Sequence, residues 1–578
     1  MKRNILHLAS FALVDILSVT IFAGSFAAQA RTSRNIAPAK AETTLPPAEI
    51  PGIWNFRWST VANNATTIPG TGNLLFSSYG QPSVNTKGKV VFRARSTMGG
   101  QRASGIYYMN ALYQPLRVMA DNRMEVPQPN NLSTQFTEFS AFPRIAMNTD
   151  ITSIRGLHSP VYRYILGDGE ETRIGNTGVY VKFGDGLLVT GASRLGAVPD
   201  FEYFSVPNKK ALAFDVFPGP QAVTDEGFVV FKGNFTVNDE ENTGIFYRQV
   251  LETPGGGIGR LSMIASSEMT MPDVPYPVKF DSTSPPTAVG NTVLFLGLDN
   301  EDDPTYGGIY MADLAPEPVL ENIAGIGRTF AGTPEPLTRL GETIAFDGRY
   351  VGFWGAWGTE MNHIKMYCPE DGNREILAYC NGVDPKSIYD KDADRWYQIN
   401  QVPVNQGIFV YDVQTGMSYM AADNKGYLKD FTFWVYSGHI PTEEEEDAEP
   451  PRWRGAAFVA LSDGWVAFKG RASSPTNEKT YVDPVDGIYL VNPIIGDGLK
   501  IVIETGMDGA YLDTSIPNLF RATLPITNVG IERDGFRGNN LAITATMDDG
   551  ENSWGGVYVT NYDFNAPGAL RKDSRIKK

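Results

Sequence analysis

The chain contains few of the residues on which enzyme chemistry most often depends. Its 578 residues include 4 histidines and 2 cysteines. It has no G-x-S-x-G nucleophile elbow, no H-E-x-x-H zinc motif and no glycine-rich loop that ends in Gly-Lys-Ser/Thr. These absences exclude the common sequence signatures of serine hydrolases, zinc proteases and P-loop nucleotidases. The sequence therefore indicates an architecture more directly than a reaction.

Positive charge is also scarce. Lysine and arginine total 49 against 65 aspartates and glutamates, for a net charge of −16. Nonspecific nucleic-acid binding depends on basic residues that neutralise phosphates, so we expect no nucleic-acid partner. Part of the acidic excess is local, in the run Glu443–Glu449, which is typical of a solvated loop.

Long hydrophobic runs are confined to the N-terminus. Residues 1–30 combine an early Lys2–Arg3, an apolar run and Ala28–Gln29–Ala30, which is the layout of a cleaved secretory signal. The alternative is an uncleaved membrane anchor. Residues 31–50 are predicted to be a linker, and no later segment has the roughly 18 apolar residues that a spanning helix needs. We expect a secreted or periplasmic protein that has no membrane contact once the signal is removed.

The two cysteines, Cys368 and Cys380, are twelve residues apart. In an exported protein such a pair most simply forms a disulfide. An alternative is a zinc site that adds His363 and an unidentified fourth ligand, although the spacing matches no standard zinc pattern. Free thiols are the remaining possibility.

A repeat is the most informative feature present. It consists of glycine, then isoleucine or valine, then tyrosine or phenylalanine, and its glycines recur about 64 to 73 residues apart with two longer intervals. The seven copies are Gly105–Ile106–Tyr107, Gly178–Val179–Tyr180, Gly244–Ile245–Phe246, Gly308–Ile309–Tyr310, Gly407–Ile408–Phe409, Gly487–Ile488–Tyr489 and Gly556–Val557–Tyr558. A fixed period of this kind indicates a repeat architecture.

Each copy follows a short apolar run such as Val229–Phe231, and a polar turn separates the two, as in a β-hairpin. Three or four strands per period cannot bury both faces of a sheet alone, so neighbouring units must cover them. The sequence therefore predicts an all-β chain, most simply a β-propeller of seven blades. Eight blades or an open row of units are the alternatives. The N-terminal segment Phe56–Val61 lacks a first half, so we expect its strands to complete the last blade.

The unit of strand, acidic turn and Gly-Ile-Tyr resembles repeats in uncharacterised secreted bacterial β-propeller proteins. The resemblance covers about residues 55–565 and carries no catalytic motif. The domain prediction is a single propeller over residues 51–565, with insertions near 347–405 and 437–455, followed by a basic tail at 566–578.

Acidic turns precede several copies of the repeat, and the most acidic contains Asp299, Glu301, Asp302 and Asp303. Calcium prefers six to eight oxygen ligands, many of them from clustered carboxylates, so these residues are calcium candidates. The plainer interpretation is that aspartate, asparagine and glycine simply form turns.

The segment before the first insertion concentrates aromatic residues near an acid. Trp354 and Trp357 are followed by Glu360 and His363. The two tryptophans and His363 are candidate sugar-binding residues, and Glu360 is a candidate acid or base. The alternative is that both tryptophans pack in the core of a blade.

His158 is a second catalytic candidate. It precedes Tyr162, Arg163 and Tyr164, and propeller-fold polysaccharide lyases typically combine histidine with tyrosine and arginine. A lone histidine beside a strand is more often structural. We predict an exported binding or scaffold protein that recognises a glycan, a cell-surface component or a protein. The alternative function is a carbohydrate-active enzyme, either a polysaccharide lyase or a glycoside hydrolase.

Overall fold

The computed structural model describes a chain built almost entirely from antiparallel β-sheets. The ranges it describes are 26–27, 52–53, 56–96, 103–110, 114–129, 134–159, 163–173, 177–370, 373–438, 440, 450–472, 484–516 and 524–562. The predicted signal, linker and C-terminal tail lie outside these residues, apart from Phe26–Ala27. Within the described ranges, no helix combines the length and the apolar character needed to cross a bilayer. The all-β prediction is confirmed.

Seven sheets of five strands account for most of the described chain, and we number them in chain order. Sheet 1 contains Ser78–Tyr79, Ser83–Val84, Val90–Ser96, Ala103–Met109 and Arg117–Asp121, and sheet 2 contains Phe136–Phe139, Arg144–Ile145, Ile151–His158, Thr177–Phe183 and Leu188–Ser193. Sheet 3 contains Ala222–Val223, Phe228–Val237, Glu240–Gln249, Ser262–Glu268 and the parallel strand Phe26–Ala27, and sheet 4 contains Ser282–Thr283, Thr287–Val289, Thr292–Leu298, Gly307–Asp313 and Glu321–Gly325.

Sheets 5 to 7 complete the set. Sheet 5 contains Leu337–Leu340, Ala345–Phe346, Tyr350–Trp357, Gln406–Asp412 and Met417–Asp423, and sheet 6 contains Val459–Ser462, Trp465–Arg471, Asp486–Asn492, Asp497–Glu504 and the parallel strand Gly52–Ile53. Sheet 7 contains Ile526–Gly530, Phe536–Arg537, Asn540–Asp548, Ser553–Asn561 and the N-terminal strand Ser59–Asn63.

The remaining elements are small. The minor sheets are Arg163–Ile165 with Glu171–Arg173, Met361–Tyr367 with Ile388–Asp390 and Arg395–Pro403, and Phe433–Ser437 with Arg452–Ala456. The helical turns are Arg194–Ala197, Pro199–Phe204, Pro254–Gly256, Arg374–Ala378, Tyr379–Val383 and Gly509–Tyr511.

The Gly-Ile-Tyr motif lies in the same place in all seven sheets, on the strand that pairs with the last antiparallel strand, which we call the outer strand. In sheets 3 and 6 a short parallel strand lies beyond this outer strand. In every sheet the pairing register between the motif strand and the outer strand shifts at the motif, which is the mark of a β-bulge. A Cβ atom added to any of the seven glycines would lie 2.3 to 3.1 Å from a carbonyl oxygen of the outer strand. Glycine is therefore required because the bulged backbone approaches closely.

Sheet 7 obtains its outer strand from the other end of the chain. Ser59–Asn63 pairs antiparallel with Ser553–Asn561, and the register shift falls between Thr60 and Ala62. The Ala62 carbonyl oxygen lies 2.6 Å from the Cβ position of Gly556, so this strand reproduces the bulge of the other six outer strands. The expected pairing of N-terminal strands with the last repeat is present.

The hydrophobic core consists mainly of clusters that lie between successive sheets. Val91 and Ile106 of sheet 1 pack with Ile154 of sheet 2, and comparable clusters join sheets 2 and 3, 3 and 4, 4 and 5, 5 and 6, and 6 and 7. A further cluster joins Val90 of sheet 1 to Val557 of sheet 7. Neighbouring sheets therefore cover each other's apolar faces.

The first insertion forms the three-stranded sheet of residues 361–403 and carries the Cys368–Cys380 disulfide. The disulfide prediction is confirmed, and both sulfur atoms are engaged, so they are not available as zinc ligands. The cysteines pack against Tyr436 and Trp453 of the second small hairpin. The Tyr436 hydroxyl also donates a 3.0 Å hydrogen bond to Asp384 of the insertion. The insertion and the hairpin therefore support each other.

Candidate functional site

A cavity of about 350 Å³ lies between the sheets and the two insertions, and a second cavity, of about 430 Å³, is lined by residues that include Phe56, Trp58 and Tyr511. We refer to the first as the cavity; its wall draws on sheets 2, 4, 5 and 7, on the segments that lead into sheets 3 and 6, and on both small inserted elements. The charged and tryptophan side chains of the wall are Arg144, Arg155, Glu301, Asp302, Arg339, Glu342, Trp354, Trp434, Arg452, Trp453, Arg454, Glu532 and Arg533.

Part of the cavity wall is formed by short loops that lie at the same position in several sheets. The first strand of most sheets is split in two, and the break supplies lining residues such as Phe142, Pro285, Glu342 and Arg533. A segment that interrupts a strand leaves its side chains free to point away from the sheet faces. The repeat therefore collects residues that are far apart in sequence around one cavity.

The inserted elements contribute a second group of lining residues. Gln401 and Pro403 come from the disulfide-bonded insertion, and Trp434, Trp453 and Arg454 come from the hairpin of residues 433–456. A cavity between a sheet framework and inserted loops is a usual position for a ligand, because the framework fixes the loops that provide the contacts.

Two glutamates, Glu301 and Glu342, give the cavity its most unusual electrostatics. Burial and the neighbouring charge of Glu301 together raise the pKa of Glu342 to about 7, against the opposing effect of Lys232. Burial also raises the pKa of Glu301 above its usual range. At neutral pH a large fraction of Glu342 is therefore protonated and able to donate a proton.

Arg452 connects two of the acidic groups. Its guanidinium lies 2.6 Å from the Asp302 carboxylate and 3.3 Å from that of Glu301. The Ser282 hydroxyl donates to the other oxygen of Glu301 at 3.3 Å. These contacts favour the ionised form of Glu301, so the two glutamates of the cavity have different environments.

Three tryptophans contribute aromatic surface. Trp354 is 8% exposed and donates its indole N–H to Gln406 at 3.0 Å. The indole nitrogens of Trp434 and Trp453 are buried and have no hydrogen-bond partner in the part of the chain that the structure describes. The ring of Trp453 packs edge-on against Tyr436, with centroids 5.4 Å apart. The wall thus combines flat apolar faces with polar edges.

The predicted site residues are only partly brought together. Trp354, Glu301 and Asp302 line the cavity. The other predicted residues are described by the structure and are not part of its wall; they are His158, Trp357, Glu360, His363, Asp299 and Asp303.

His158 ends the strand Ile151–His158 and is 3% exposed. Its burial lowers the pKa of the imidazole to about 4. Trp357 lies in the core, with its ring 6.1 Å from that of Phe409. Glu360 and His363 are exposed to solvent. These placements match the structural alternatives given for His158 and Trp357.

The acidic turn after sheet strand Thr292–Leu298 is held by its own hydrogen bonds. Asp299 accepts the N–H groups of Thr305 and Tyr306, both at 2.9 Å. Glu301 and Asp302 pair with Arg452 instead of facing a common point. Across the described ranges, no three His, Cys, Asp or Glu side chains are grouped so that they could hold a metal ion.

No sequence motif marks Glu342, Arg452 or Arg454 as site residues. Glu342 follows Leu340 and Gly341 at the break between two strands of sheet 5, with nothing distinctive in the local sequence. Only the position of Glu342 in the repeat could have indicated its role. It lies in the break before the short strand Ala345–Phe346, and the equivalent breaks of other sheets also contribute lining residues.

A first prediction concerns the pH dependence of stability. The folded-state pKa of Glu342 is about 7 against an ordinary value of 4.5, so the native state binds more protons than the unfolded state between these values. Its contribution to stability must therefore fall as pH rises through this window. We expect Glu342→Gln to gain stability relative to wild type between pH 5 and pH 8, measured by urea denaturation.

Glu360→Gln, which removes an exposed glutamate outside the cavity wall, is the matched control and should show no such trend. A stability difference between Glu342→Gln and wild type that stays constant from pH 5 to pH 8 would contradict the raised pKa.

Comparisons with known proteins give structural similarities only. No protein-family model matches the chain, and no curated protein matches it in sequence. A structure from a study of two prolyl endopeptidases has 8% identity and a TM-score of 0.36; the alignment covers 84% of this chain and 50% of that one. This chain therefore spans half the length of that protein.

The polysaccharide lyase Uly1 has 11% identity and a TM-score of 0.29, and the alignment covers 88% of this chain and 100% of that one. A structure from the GH130 family of mannoside phosphorylases has 11% identity and a TM-score of 0.23, with 57% and 93% of the two chains covered. With TM-scores below 0.5, neither the fold nor the function of this chain rests on these similarities.

Proposed function

We propose that this protein is an exported, closed seven-bladed β-propeller that binds a saccharide in the cavity between its blades and its two insertions. Closure is supported by one short strand from each sheet, which we call the innermost strand, because each innermost strand contacts that of the next sheet. These strands are Ser83–Val84, Arg144–Ile145, Ala222–Val223, Thr287–Val289, Ala345–Phe346, Val459–Ser462 and Phe536–Arg537. Phe536–Arg537 of sheet 7 also contacts Ser83–Val84 of sheet 1. On this proposal residues 51–565 form one domain, and its edges are protected because the ring has no free end.

Export is supported by the Cys368–Cys380 disulfide, because such bonds persist mainly in oxidising compartments. The predicted signal at residues 1–30 agrees with this location. A periplasmic or secreted protein of this kind would meet saccharides of cell walls, matrices or nutrients.

The observation that carries the saccharide proposal is the composition of the cavity wall. Trp354, Trp434 and Trp453 provide flat apolar surfaces of the kind that pack against the C–H faces of sugar rings. Carboxyl and guanidinium groups, including Glu301 and Arg454, provide acceptors and donors for hydroxyl groups. A concave site with few, specific polar groups on an aromatic wall suits a small polar ligand that is bound in one orientation.

A second candidate function, hydrolysis of a glycosidic bond, is favoured by the two cavity glutamates. Glycoside hydrolases commonly use one protonated and one ionised carboxyl group. Glu342, with its pKa of about 7, would donate a proton to the glycosidic oxygen. Glu301, held by Arg452, would assist the incoming water. In that case Glu342→Gln should retain saccharide binding and lose hydrolysis, measured by the appearance of reducing ends.

The binding proposal is tested by titration calorimetry with panels of neutral, carboxylated and sulfated oligosaccharides. We expect at least one class to bind, and we expect Trp434→Ala to weaken its binding about tenfold through the lost stacking surface, since each factor of ten is about 1.4 kcal/mol. Trp58→Ala is the control, because Trp58 packs against Phe56 away from the cavity. If no saccharide class binds the wild-type protein, the proposal is wrong.

A further inference from the structure

The charge of the cavity wall is opposite in sign to that of the protein. The chain has a net charge of −16. The ionisable groups of the wall are the six arginines Arg144, Arg155, Arg339, Arg452, Arg454 and Arg533 and the four acids Glu301, Asp302, Glu342 and Glu532. With all of them ionised the wall carries two excess positive charges, and with Glu342 protonated it carries three.

We propose that the saccharide bound in this cavity is anionic and that the arginines of the wall hold its acidic group. This inference rests on the proposed saccharide function and specifies the substrate class. The acidic group would be a carboxylate or a sulfate ester, both of which fit the planar, multi-donor guanidinium.

Three of the four acidic residues of the wall, Glu301, Asp302 and Glu532, form ion pairs with arginines. Glu532 is 2.6 Å from Arg144, and both side chains are almost completely buried. Glu301 and Asp302 share Arg452. An entering anion would therefore meet little uncompensated negative charge. Sugar hydroxyls alone would not need such an excess of cations, whose burial is costly.

Two arginines of the cavity wall are fixed in place by backbone carbonyls. Arg533 donates to the carbonyl oxygens of Pro285 and Pro286 at 3.1 and 2.5 Å, and Arg155 donates to Phe217 at 2.5 Å. Carbonyl oxygens orient a guanidinium without cancelling its charge. These two arginines therefore keep their positive charge while their positions are set.

Donors also remain at these side chains. The Nε–H groups of Arg144, Arg155 and Arg533 are buried and have no hydrogen-bond partner among the described residues. Arg144 and Arg533 are themselves 1% and 2% exposed. Buried N–H groups are seldom left unsatisfied in folded proteins, so three of them at one cavity indicate that a ligand acceptor completes the set.

The burial of the arginines also favours an anionic ligand. Burial lowers the pKa of Arg155 to about 10, and burial together with the charge of Arg144 lowers that of Arg533 to about 9, against the opposing charges of Asp534 and Glu532. An anionic ligand that enters this environment gains more than it would in water because the interactions are poorly screened.

The test compares the binding of matched ligands to the mature protein, from which the predicted signal at residues 1–30 has been removed. Oligogalacturonate and its fully methyl-esterified form have the same sugar backbone and differ in charge. Neutral cello-oligosaccharides and sulfated carrageenan oligosaccharides complete the panel. We expect an anionic member to bind at least tenfold more tightly than its neutral counterpart, with an affinity that falls as salt is raised from 50 to 500 mM.

Each outcome separates the two proposals. If the neutral sugars bind as tightly as the acidic ones, or only neutral sugars bind, the anionic inference is overturned and the saccharide function stands. If no sugar binds, both are overturned. Preference for oligogalacturonate identifies a carboxylate ligand, and preference for the carrageenan oligosaccharide identifies a sulfate ester.

A variant pair assigns the effect to the cavity. Arg339→Gln removes one charge from a partly exposed side chain of the wall, so the fold should tolerate it. We expect it to weaken the anionic ligand about tenfold and to weaken neutral sugars much less, because only the anionic ligand loses an ion pair. Arg349→Gln, an exposed arginine outside the wall, should leave both unchanged. Equal losses for charged and neutral sugars in Arg339→Gln would count against charge recognition.

Discussion

Replacing Arg144 with methionine is expected to lower the free energy of unfolding by about 3–5 kcal/mol, because removal of one partner leaves a buried charge uncompensated. Arg144 is 2.6 Å from Glu532 and 3.4 Å from Asp534, and all three side chains are almost completely buried. The first residue belongs to sheet 2 and the others to the break in sheet 7. The cluster thus joins parts of the chain that are nearly 400 positions apart.

Urea denaturation of Arg144→Met and of two comparison variants measures this contribution. Arg349→Met removes an ion pair with Asp412 in which the arginine is exposed, and we expect no measurable change because exposed pairs contribute little. Arg144→Met combined with Glu532→Gln removes both members of the closest pair and should recover part of the loss. An Arg144→Met variant as stable as wild type would show that Asp534 is sufficiently compensated by Arg537, its other partner.

The repeat could be predicted because its cause is local. The glycine of each motif is required by a bulge in the adjacent strand, and the aromatic residue two positions later folds back over the same face. Because these constraints act within one sheet and recur in every sheet, the same residue types recur along the sequence at the spacing of the repeat. The same constraint acts on Gly556, whose neighbour is the N-terminal strand, which is why the segment Phe56–Val61 has no first half of its own.

The cavity could not be predicted because its cause is not local. Its wall combines short segments from different sheets, and each segment contributes one or two polar residues. Glu342 is one of 65 acidic residues, and its raised pKa arises from burial and from Glu301, which is 41 positions earlier in the chain. Neither influence leaves a pattern near residue 342.

Trp354 and Trp357 show where alternation along a strand decides the outcome. Both lie on Tyr350–Trp357, and residues an odd number of positions apart point to opposite faces of a sheet. Trp354 packs in the cluster between sheets 5 and 6, and Trp357 packs in the cluster between sheets 4 and 5. Two stacking tryptophans on one side were therefore incompatible with a strand, and only Trp354 reaches the cavity.

The insertions provide about a quarter of the residues of the cavity wall, and the two insertions support each other. Asp384 of the first insertion accepts hydrogen bonds from Tyr436 of the hairpin at 3.0 Å and from Gln398 at 2.8 Å. The disulfide lies in the same cluster, against Tyr436 and Trp453. Because Trp453 is both a neighbour of the disulfide and a lining residue, the shape of the cavity depends on this bond.

The double variant Cys368→Ala/Cys380→Ala is therefore expected to lose both stability and ligand affinity. For a loop with a sequence separation of 12 residues, the chain-entropy estimate is about 2–3 kcal/mol. We expect saccharide affinity to fall as well, since Trp453 loses a packed neighbour. Calorimetric melting and ligand titration measure the two effects separately.

Wild-type protein treated with a reductant should behave like the variant, and Trp58→Ala should not. If the variant melts earlier and binds the saccharide as tightly as wild type, the disulfide stabilises the insertion alone and does not position the cavity wall.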